Sequence, residues 1–527
     1  MNNESLEAGS VNKWLVALTV ITGTIMSALD TSIVNVALPY MRGNLGVSVE
    51  EITWVATGYM LSSVIIMPIV GMLSSRYGRK RLYMANIFLF TASSFMCGIS
   101  WNLSSLVFFR IMQGIGGGAI IPVSQAILRE SFPPEEQGLA MGIYGFGVVL
   151  GPAFGPTIGG WLTDNYSWPW IFFINIPIGI INMLLVARFL HDPPYLKREK
   201  GKIDFTGLWL LVIGLGALQL MLEKGEQKDW FQSGLIVWLA VAAFAGLLLF
   251  IWRELAAERP AVDLRLLKNL PFASGTMIGG VLGMGLYGSL FILPLFLQQL
   301  LGYPAFDSGL VLMPRSLAMA VMMPVAGRLY NRLGPKVLIS LGLIMTAFSF
   351  WQLSTMSLDV GFWDLFIPQS LQGAGFGMVF VALTTAALAT IKKSEMTAAS
   401  GLYNVVRQVF GSVGIAATAT ELTRGEQIFR ANLVGDITPY SANTSNFVHA
   451  MTGAMARQGG GPAIARYKAL NIVNGQLQRQ ASMLSYNHVF WLVMVLFVFS
   501  IPLVLLLRGG QAPGERAMDG AQQASEL

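Results

Sequence analysis

The feature that most constrains the fold is the division of the sequence into apolar blocks of about 20 residues. A helix rises about 1.5 Å per residue, so each block can cross the roughly 30 Å hydrocarbon core of a bilayer. The alternating segments of about ten residues that transmembrane strands need are absent from the sequence. We therefore predict an all-α membrane protein with fourteen spans, at residues 14–38, 52–74, 82–101, 104–128, 139–161, 169–190, 204–222, 233–252, 271–297, 307–329, 336–355, 361–390, 397–421 and 486–507.

Composition excludes several classes of protein. Charged residues make up only 12% of the chain, whereas soluble domains carry roughly 25%. The single cysteine, Cys97, falls within a predicted span, which excludes a disulfide or a cysteine metal site within one chain. The sequence has no P-loop motif, so transport energy has to come from an ion gradient or from the substrate's own gradient. We predict no metal and no cofactor. The scarcity of buried nucleophiles and bases disfavours a membrane enzyme, the alternative from another functional class.

The distribution of Lys and Arg predicts the orientation. With the N-terminus inside, most of these residues fall in inner loops, whereas the short outer loops hold only Arg42, Lys224 and Lys228. Because positive charge favours the cytoplasmic side, we place both termini in the cytoplasm. The net charge of +6 then needs no nucleic-acid partner. The first apolar run is too long for a cleaved signal peptide, so we predict that it is a retained span.

The chain contains an internal repeat. Three motifs recur in the same order: residues 71–82 as 327–338, 113–118 as 372–377, and 140–144 as 399–403. This predicts two parallel six-helix bundles around a midplane cavity, with spans 7 and 8 inserted between them. The predicted domains are a cytoplasmic N-terminus (1–13), an N-terminal bundle (14–190), two inserted helices with flanking loops (191–270), a C-terminal bundle (271–507) that includes an outer loop at 422–485, and a cytoplasmic tail (508–527).

Over about residues 14–507 the chain resembles the major facilitator superfamily, in its fourteen-span drug/proton antiporter branch. The resemblance implies the major facilitator fold, arranged as 6+2+6 helices, and within the branch it is strongest to the Emr-type efflux permeases of Gram-negative bacteria. The motifs that carry it are the span-1 segment 29–39, the loop 71–80, Arg110-x-x-Gln113-Gly114 in span 4, the Gly- and Pro-rich segment 147–160 in span 5, and the start of span 6 at 170–177.

The resemblance identifies the loop between spans 2 and 3 as a cytoplasmic gate that contains Gly71, Ser75, Arg76, Gly78 and Arg79. The family usually has Asp where this chain has Ser75, and that carboxylate helps to latch the gate. We therefore expect a latch that is weaker or is built from other groups.

The antiporter motif of span 5 also comes from the resemblance. Glycine at every fourth position makes a smooth face that another helix can approach closely, and proline kinks the helix and frees backbone carbonyls. Generic helix packing is the alternative reading. The residues of the motif are Gly147, Gly151, Pro152, Gly155, Pro156 and Gly159.

Asp30 is the only acidic residue that we predict deep within a span. A charge there costs roughly 2.5–3.5 kcal/mol on insertion scales, and burial favours the protonated form. Arg110 of span 4 is expected at a matching depth, where it favours the ionised form. We predict that Asp30 carries a proton and that Arg110 modulates it, and a permanent structural ion pair is the alternative. Residues near 286, the counterpart of Asp30, are apolar, so proton coupling is expected in the first half only.

A further set of residues is expected to line the substrate cavity. Its two arginines would either steer an anionic substrate or pair with backbone carbonyls, and its aromatic and amide residues would form a permissive pocket or serve as packing anchors. The set is Asn35, Tyr59, Gln113, Phe291, Gln298, Arg315, Gln369 and Arg407.

The outer loop contains an amphipathic pattern of helical spacing. Such a helix would lie on the membrane surface or, as the resemblance implies, dock a periplasmic adaptor protein. The residues of the pattern are Ile464, Tyr467, Leu470, Val473, Leu477, Ala481 and Leu484.

These observations predict a multi-pass inner-membrane antiporter that exports amphipathic, largely hydrophobic drugs in exchange for protons and confers antibiotic resistance. The resemblance implies the permease of a tripartite pump, with a periplasmic adaptor (membrane fusion) protein and an outer-membrane channel as partners. The alternative is a dedicated exporter of a metabolite or siderophore on the same fold.

Overall fold

The computed structural model describes residues 12–193, 204–258, 260–438, 440–457 and 461–506. The predicted tail (508–527), residues 1–11 of the predicted N-terminus and loop residues 194–203 lie outside the described residues. Within the described ranges every regular element is helical. This agrees with the predicted all-α class.

The first half contains helices whose apolar stretches match the first six predicted spans. In α2 a 3₁₀ turn at Met67–Ile69 interrupts the helix, because Pro68 has no backbone N–H to donate. The helices are α1 (Lys13–Leu45), α2 (Val49–Tyr77), α3 (Arg79–Gly98), α4 (Leu103–Ser131), α5 (Gln137–Asn165) and α6 (Trp170–Phe189).

The inserted pair and the second half follow. The pair is α7 (Phe205–Lys224) and α8 (Gly234–Ala256). The second half contains α9 (Leu270–Leu300), α10 (Ala305–Ser354), α11 (Phe362–Ala387), α12 (Met396–Asp436) and α14 (Pro462–Ser500), with the shorter α13 (Ala442–Arg457) in the outer loop.

Eleven helices in the described part of the chain are long and apolar enough to cross a membrane. Neither α3 nor α12 is among them, although each covers a predicted span. The predicted spans 307–329 and 336–355 both lie in α10, which consists of two helices joined at a kink at Gly334, where the backbone is not helical (φ 76°, ψ 161°). Gly78 has nearly the same backbone conformation (φ 87°) between α2 and α3, so the sequence repeat is also a structural repeat.

The outer loop is largely helical, because α12 and α14 both continue past their predicted spans. The two extensions pack together, and Arg430 donates a 3.0 Å hydrogen bond to Asn474 Oδ1. On α14 the buried side chains include Ala465, Ala469, Leu477 and Ala481. The predicted helix is present, and four residues of its apolar pattern lie exposed, namely Ile464, Tyr467, Leu470 and Leu484.

The two halves meet directly at the end of the bundle where α1 begins, which we call the Lys13 end; the opposite end is the Leu45 end. Arg79 Nη2 donates to the Lys393 carbonyl (2.8 Å), and Arg129 Nη1 donates to the Thr385 carbonyl (2.9 Å). Deeper in the interface, Asn404 donates to Gln125 Oε1 (2.6 Å). Polar contacts thus hold the halves together at this end.

Close backbone packing reinforces the same interface, and it gives the first testable prediction. A Cβ atom added to Gly138 would lie 2.7 Å from the Gly327 carbonyl oxygen, whereas one added to Gly160 on the same helix would meet nothing within 4 Å. We expect Gly138→Val to lower the thermal unfolding midpoint of the purified protein, because overpacking costs about 1–3 kcal/mol. Gly160→Val is the matched control and should leave the midpoint nearly unchanged; equal effects of the two variants would contradict the packing.

Candidate functional site

Asp30 lies fully buried in α1 at the centre of a polar cluster. Its Oδ2 atom accepts a 2.6 Å hydrogen bond from Arg110 Nη1 of α4. Its Oδ1 atom accepts from Gln113 Nε2 and from Asn175 Nδ2, both at 2.9 Å. The carboxylate therefore receives three donors from two other helices, and the contact predicted between Asp30 and Arg110 is present.

Arg110 is held on all sides. Its Nε atom donates to the Val55 carbonyl of α2 (3.0 Å), and its Nη1 atom also donates to Gln113 Oε1 (2.7 Å). The guanidinium carbon lies 4.4 Å from the centre of the Tyr59 ring. It lies 5.7 Å from the centre of the Phe172 ring, which is close to the limit of about 6 Å for a cation–π interaction. These contacts fix the position of the cation relative to three helices.

Asn175 is the member of this cluster that sequence reasoning missed. Its amide donates both to Asp30 and to Ser94 Oγ of α3 (3.1 Å), so it links α6 and α3 to the carboxylate. A signal was available, because Asn175 is a polar residue in the otherwise apolar start of span 6. The orientation of the Asn175 side chain toward Asp30 depends on how the helices pack, and the sequence pattern does not predict that packing.

The charges of the cluster are coupled. Two opposite charges buried together largely cancel, whereas removal of one partner leaves an uncompensated buried charge. Protonation of Asp30 would leave Arg110 without its counterion, so it favours separation of the two side chains. The arrangement can therefore link proton binding to movement of α1 relative to α4.

The antiporter-motif glycines of α5 all face α1. Added Cβ atoms at Gly147, Gly151, Gly155 and Gly159 would collide in turn with successive turns of α1 from Ile21 to Ile33. At Gly151 the collision is with the backbone of Ala28 and Leu29, next to Asp30. Pro152 and Pro156 lie exposed on the other side of α5, which remains helical through both. The motif sets the distance between α5 and the helix that carries Asp30.

The gate loop contacts both halves without using Ser75, whose hydroxyl bonds to the Met72 carbonyl of its own helix (3.0 Å). Arg79 forms an ion pair with Glu130 besides its bond to Lys393. At the turn, Asp192 accepts from the Lys80 N–H (2.8 Å). Two carboxylates from elsewhere in the chain, Glu130 and Asp192, thus contact the loop at Arg79 and Lys80.

Gly71 and Gly78 mark two constraints on this loop. An added Cβ at Gly71 would clash with the backbone of Ala398 in the second half, and Gly78 has φ 87°, which glycine adopts readily. Arg76 stacks against Tyr77, with the guanidinium 5.9 Å from the ring centre. All five predicted gate residues therefore lie at the Lys13 end.

The second half contains a counterpart of the Asp30 cluster with different charges. By the repeat, Arg315 stands where the first half has Tyr59, and Gln369 and Gln372 stand where it has Arg110 and Gln113. Arg315 is buried and contacts Gln372 Oε1 at 3.4 Å; Gln369 is buried with no hydrogen-bond partner in the described part of the chain. The position of Asp30 is taken by an apolar residue, Leu286.

The remaining predicted cavity residues are spread over the structure. Arg407 lies over the rings of Phe380 (5.1 Å) and Tyr403 (5.9 Å). Phe291 is half-buried, and Asn35 and Gln298 are exposed. Tyr59 and Gln113 join the Asp30 cluster, and the assignment of the set to a substrate cavity stays a prediction.

Comparison with known proteins agrees with the fold and the motifs. Residues 20–415 match the sequence profile of the Major Facilitator Superfamily. The chain is 36% identical to the fatty acid resistance protein FarB of Neisseria gonorrhoeae, over 95% of this chain and 97% of that protein. It is 35% identical to the multidrug export protein EmrB of Escherichia coli (strain K12), over 91% and 92%.

Solved structures show the same fold at low sequence identity. The proton:xylose symporter XylE superposes with a TM-score of 0.62 at 12% identity, covering 95% of this chain and 97% of that one. The human organic anion transporter MFSD10 superposes with a TM-score of 0.57 at 13% identity, covering 92% and 99%. These two likenesses concern the fold alone.

The buried pair gives the second testable prediction, a double-mutant cycle. We expect Asp30→Asn and Arg110→Gln each to destabilise the purified protein by about 3–5 kcal/mol, because each leaves one buried charge unpaired. The double variant should lose much less than the sum of the two, since neither charge remains. Thermal unfolding in detergent measures the cycle, and additive losses would show that the pair is not coupled.

Proposed function

The chain belongs to the Major Facilitator Superfamily, a family of multi-pass membrane transporters rather than enzymes, and we propose that it exports amphipathic compounds across the bacterial inner membrane in exchange for protons. The observation that carries the proposal is the fully buried Asp30 carboxylate, with Arg110 at 2.6 Å and amide donors from α4 and α6. Asp30 binds the proton, and Arg110 replaces the proton as its partner when Asp30 is ionised.

The proposed orientation places the Lys13 end in the cytoplasm, on the basis of the Lys and Arg distribution. We propose fourteen crossings arranged as six, two and six: α3 and α12 count as spans, and α10 counts as two spans that meet at Gly334. The contacts between the halves then close the cytoplasmic side, and the cavity opens outward. Proton entry from outside would neutralise Asp30, release Arg110 and favour the alternative arrangement of the halves.

The proposed substrates are amphipathic, largely hydrophobic compounds. The names of two relatives, a multidrug export protein and a fatty acid resistance protein, support this class. A dedicated exporter of one metabolite or siderophore is the alternative on this fold. Competition among chemically unrelated dyes separates the two, because a permissive pocket lets them inhibit each other's transport.

We also propose that the protein works as the permease of a tripartite pump, with a periplasmic adaptor and an outer-membrane channel. Support comes from the exposed apolar side chains Tyr467 and Leu470 on the extension of α14, which projects beyond the predicted last span. Apolar side chains exposed together on one helix face commonly mark a protein contact.

The proton-carrier role gives the third prediction. In vesicles with an imposed pH gradient, exchange of one proton per substrate supports a substrate gradient of about tenfold per pH unit, whatever the charge of the substrate. We expect Asp30→Asn to abolish concentrative transport of ethidium and of oleate, because the amide cannot release a proton. Asp164→Asn is the control: Asp164 is an exposed carboxylate at the Leu45 end that accepts from Tyr40 (2.5 Å). Accumulation against a gradient by Asp30→Asn would refute the assignment.

The adaptor contact gives the fourth prediction. We expect the double variant Tyr467→Glu/Leu470→Glu to keep transport in vesicles and to lose resistance in cells, because it adds charge to the proposed contact face only. The control Gln476→Glu/Gln480→Glu places the same charge on exposed polar positions of the same helix. Loss of transport in vesicles would instead indicate a role of these residues in folding.

A further inference from the structure

The inserted helix α7 carries a half-buried carboxylate, Glu223, near the Leu45 end. Its Oε1 atom is hydrogen-bonded to the hydroxyl of Thr57, a fully buried residue of α2 in the first half. Its Oε2 atom is sealed from solvent and has no partner in the described part of the chain. No Lys or Arg in that part lies within 4.0 Å of the carboxylate.

Lys224 adjoins Glu223 in the sequence, but its ammonium group does not contact the carboxylate. Lys224 Nζ donates to Thr53 Oγ1 (3.1 Å) and to Gln227 Oε1 (3.4 Å). Lys228 pairs with Glu50 at 3.7 Å, and Glu226 accepts from Thr423 of α12 (2.9 Å). The charged groups that the elements around this end of α7 carry are Lys224, Glu226, Lys228, Asp229, Glu50, Glu51, Glu421, Arg424 and Glu426.

The single hydroxyl proton of Thr57 is better matched to a protonated Glu223 than to an ionised one. Thr57 has one O–H, yet its oxygen lies within hydrogen-bond distance of two oxygens, Glu223 Oε1 and the Thr53 carbonyl at 3.1 Å. An ionised carboxylate can only accept, so one of these two contacts would then lack a proton. A protonated Glu223 resolves this: its O–H donates to Thr57, whose own O–H donates to Thr53.

Thr57 also connects this carboxylate to the Asp30 cluster. Two residues earlier on the same helix, the Val55 carbonyl accepts the Nε–H of Arg110. On its other side α7 binds the second half: Gln219 donates to Ser412 of α12 (2.9 Å). Just beyond α7, Trp230 Nε1 donates to Thr420 of α12 (2.9 Å). The inserted segment therefore links the two halves at the Leu45 end, whereas their direct hydrogen bonds lie at the Lys13 end.

We propose that Glu223 is a second proton-binding residue, which docks the inserted helix on α2 when it is protonated and releases it when it is ionised. An unpaired ionised carboxylate is costly to bury, so ionisation favours exposure of Glu223 to water. Release of α7 from Thr57 would then free the first half from the second at this end. Its part in transport rests on the proposed function, but the docking itself does not.

The test measures docking directly, without a substrate. Spin labels at Val49→Cys on α2 and Phe231→Cys beyond α7 occupy exposed positions, and native Cys97 is fully buried. We expect pulsed-EPR distances in lipid nanodiscs to be short and narrow at pH 5, and longer and broader at pH 9. The Glu223→Gln variant should stay short at both pH values, because its amide donates to Thr57 as the carboxylic acid does.

Two further variants keep the test specific. Glu226→Gln removes a neighbouring carboxylate that contacts α12 instead of α2, and Asp30→Asn removes the proton carrier of the proposed function; both should keep the pH-dependent change in distance. A change that is absent from the unsubstituted protein, that persists in Glu223→Gln or that disappears in Asp30→Asn would overturn the inference. Failure of proton-coupled transport with the distance change intact would refute the proposed function alone.

Discussion

The arrangement of the first half depends on one buried ion pair. Asp30 and Arg110 bring opposite charges into a bundle core where neither would be stable alone, and their remaining hydrogen-bonding groups are satisfied by Gln113, Asn175 and the Val55 carbonyl. These partners come from α2, α4 and α6, so the pair constrains the relative positions of four helices including α1. A change in the protonation of Asp30 would therefore alter contacts among these four helices and not only the contacts of one side chain.

The sequence alone predicted the chemistry of this site better than its geometry. The cost of burying a carboxylate identified Asp30, and equal depth along two helices identified Arg110 as its partner. Helical spacing placed Gln113 on the same face as Arg110. Asn175 and the Val55 carbonyl could not be found in this way, because their contacts depend on distances between helices, and backbone carbonyls carry no sequence signal.

The outer part of the second half shows a different limit of sequence reasoning. Apolar periodicity predicted a helix at residues 464–484, and the helix is present within α14. The pattern did not indicate the buried face, because the extension packs on α12 through small residues such as Ala465 and Ala469, and Tyr467 and Leu470 lie exposed. Small side chains let two helices approach closely, and a hydrophobicity pattern gives them little weight.

The repeat explains why the two halves share a fold without sharing a function. Equivalent positions hold Tyr59 and Arg315, and Leu286 replaces Asp30, so the second half has a buried cation but no carboxylate beside it in the described residues. Under the proposed function, the exchange of a proton for a counterion needs both charges, and Asp30 and Arg110 bring them together in the first half. Movement of one half must then be passed to the other through their contacts. At the Lys13 end those contacts are direct, and at the Leu45 end the polar ones pass through α7 and the turn that follows it. The inserted segment is therefore more than an addition to the two bundles, because α7 and the turn that follows it carry the polar contacts between the halves at the Leu45 end.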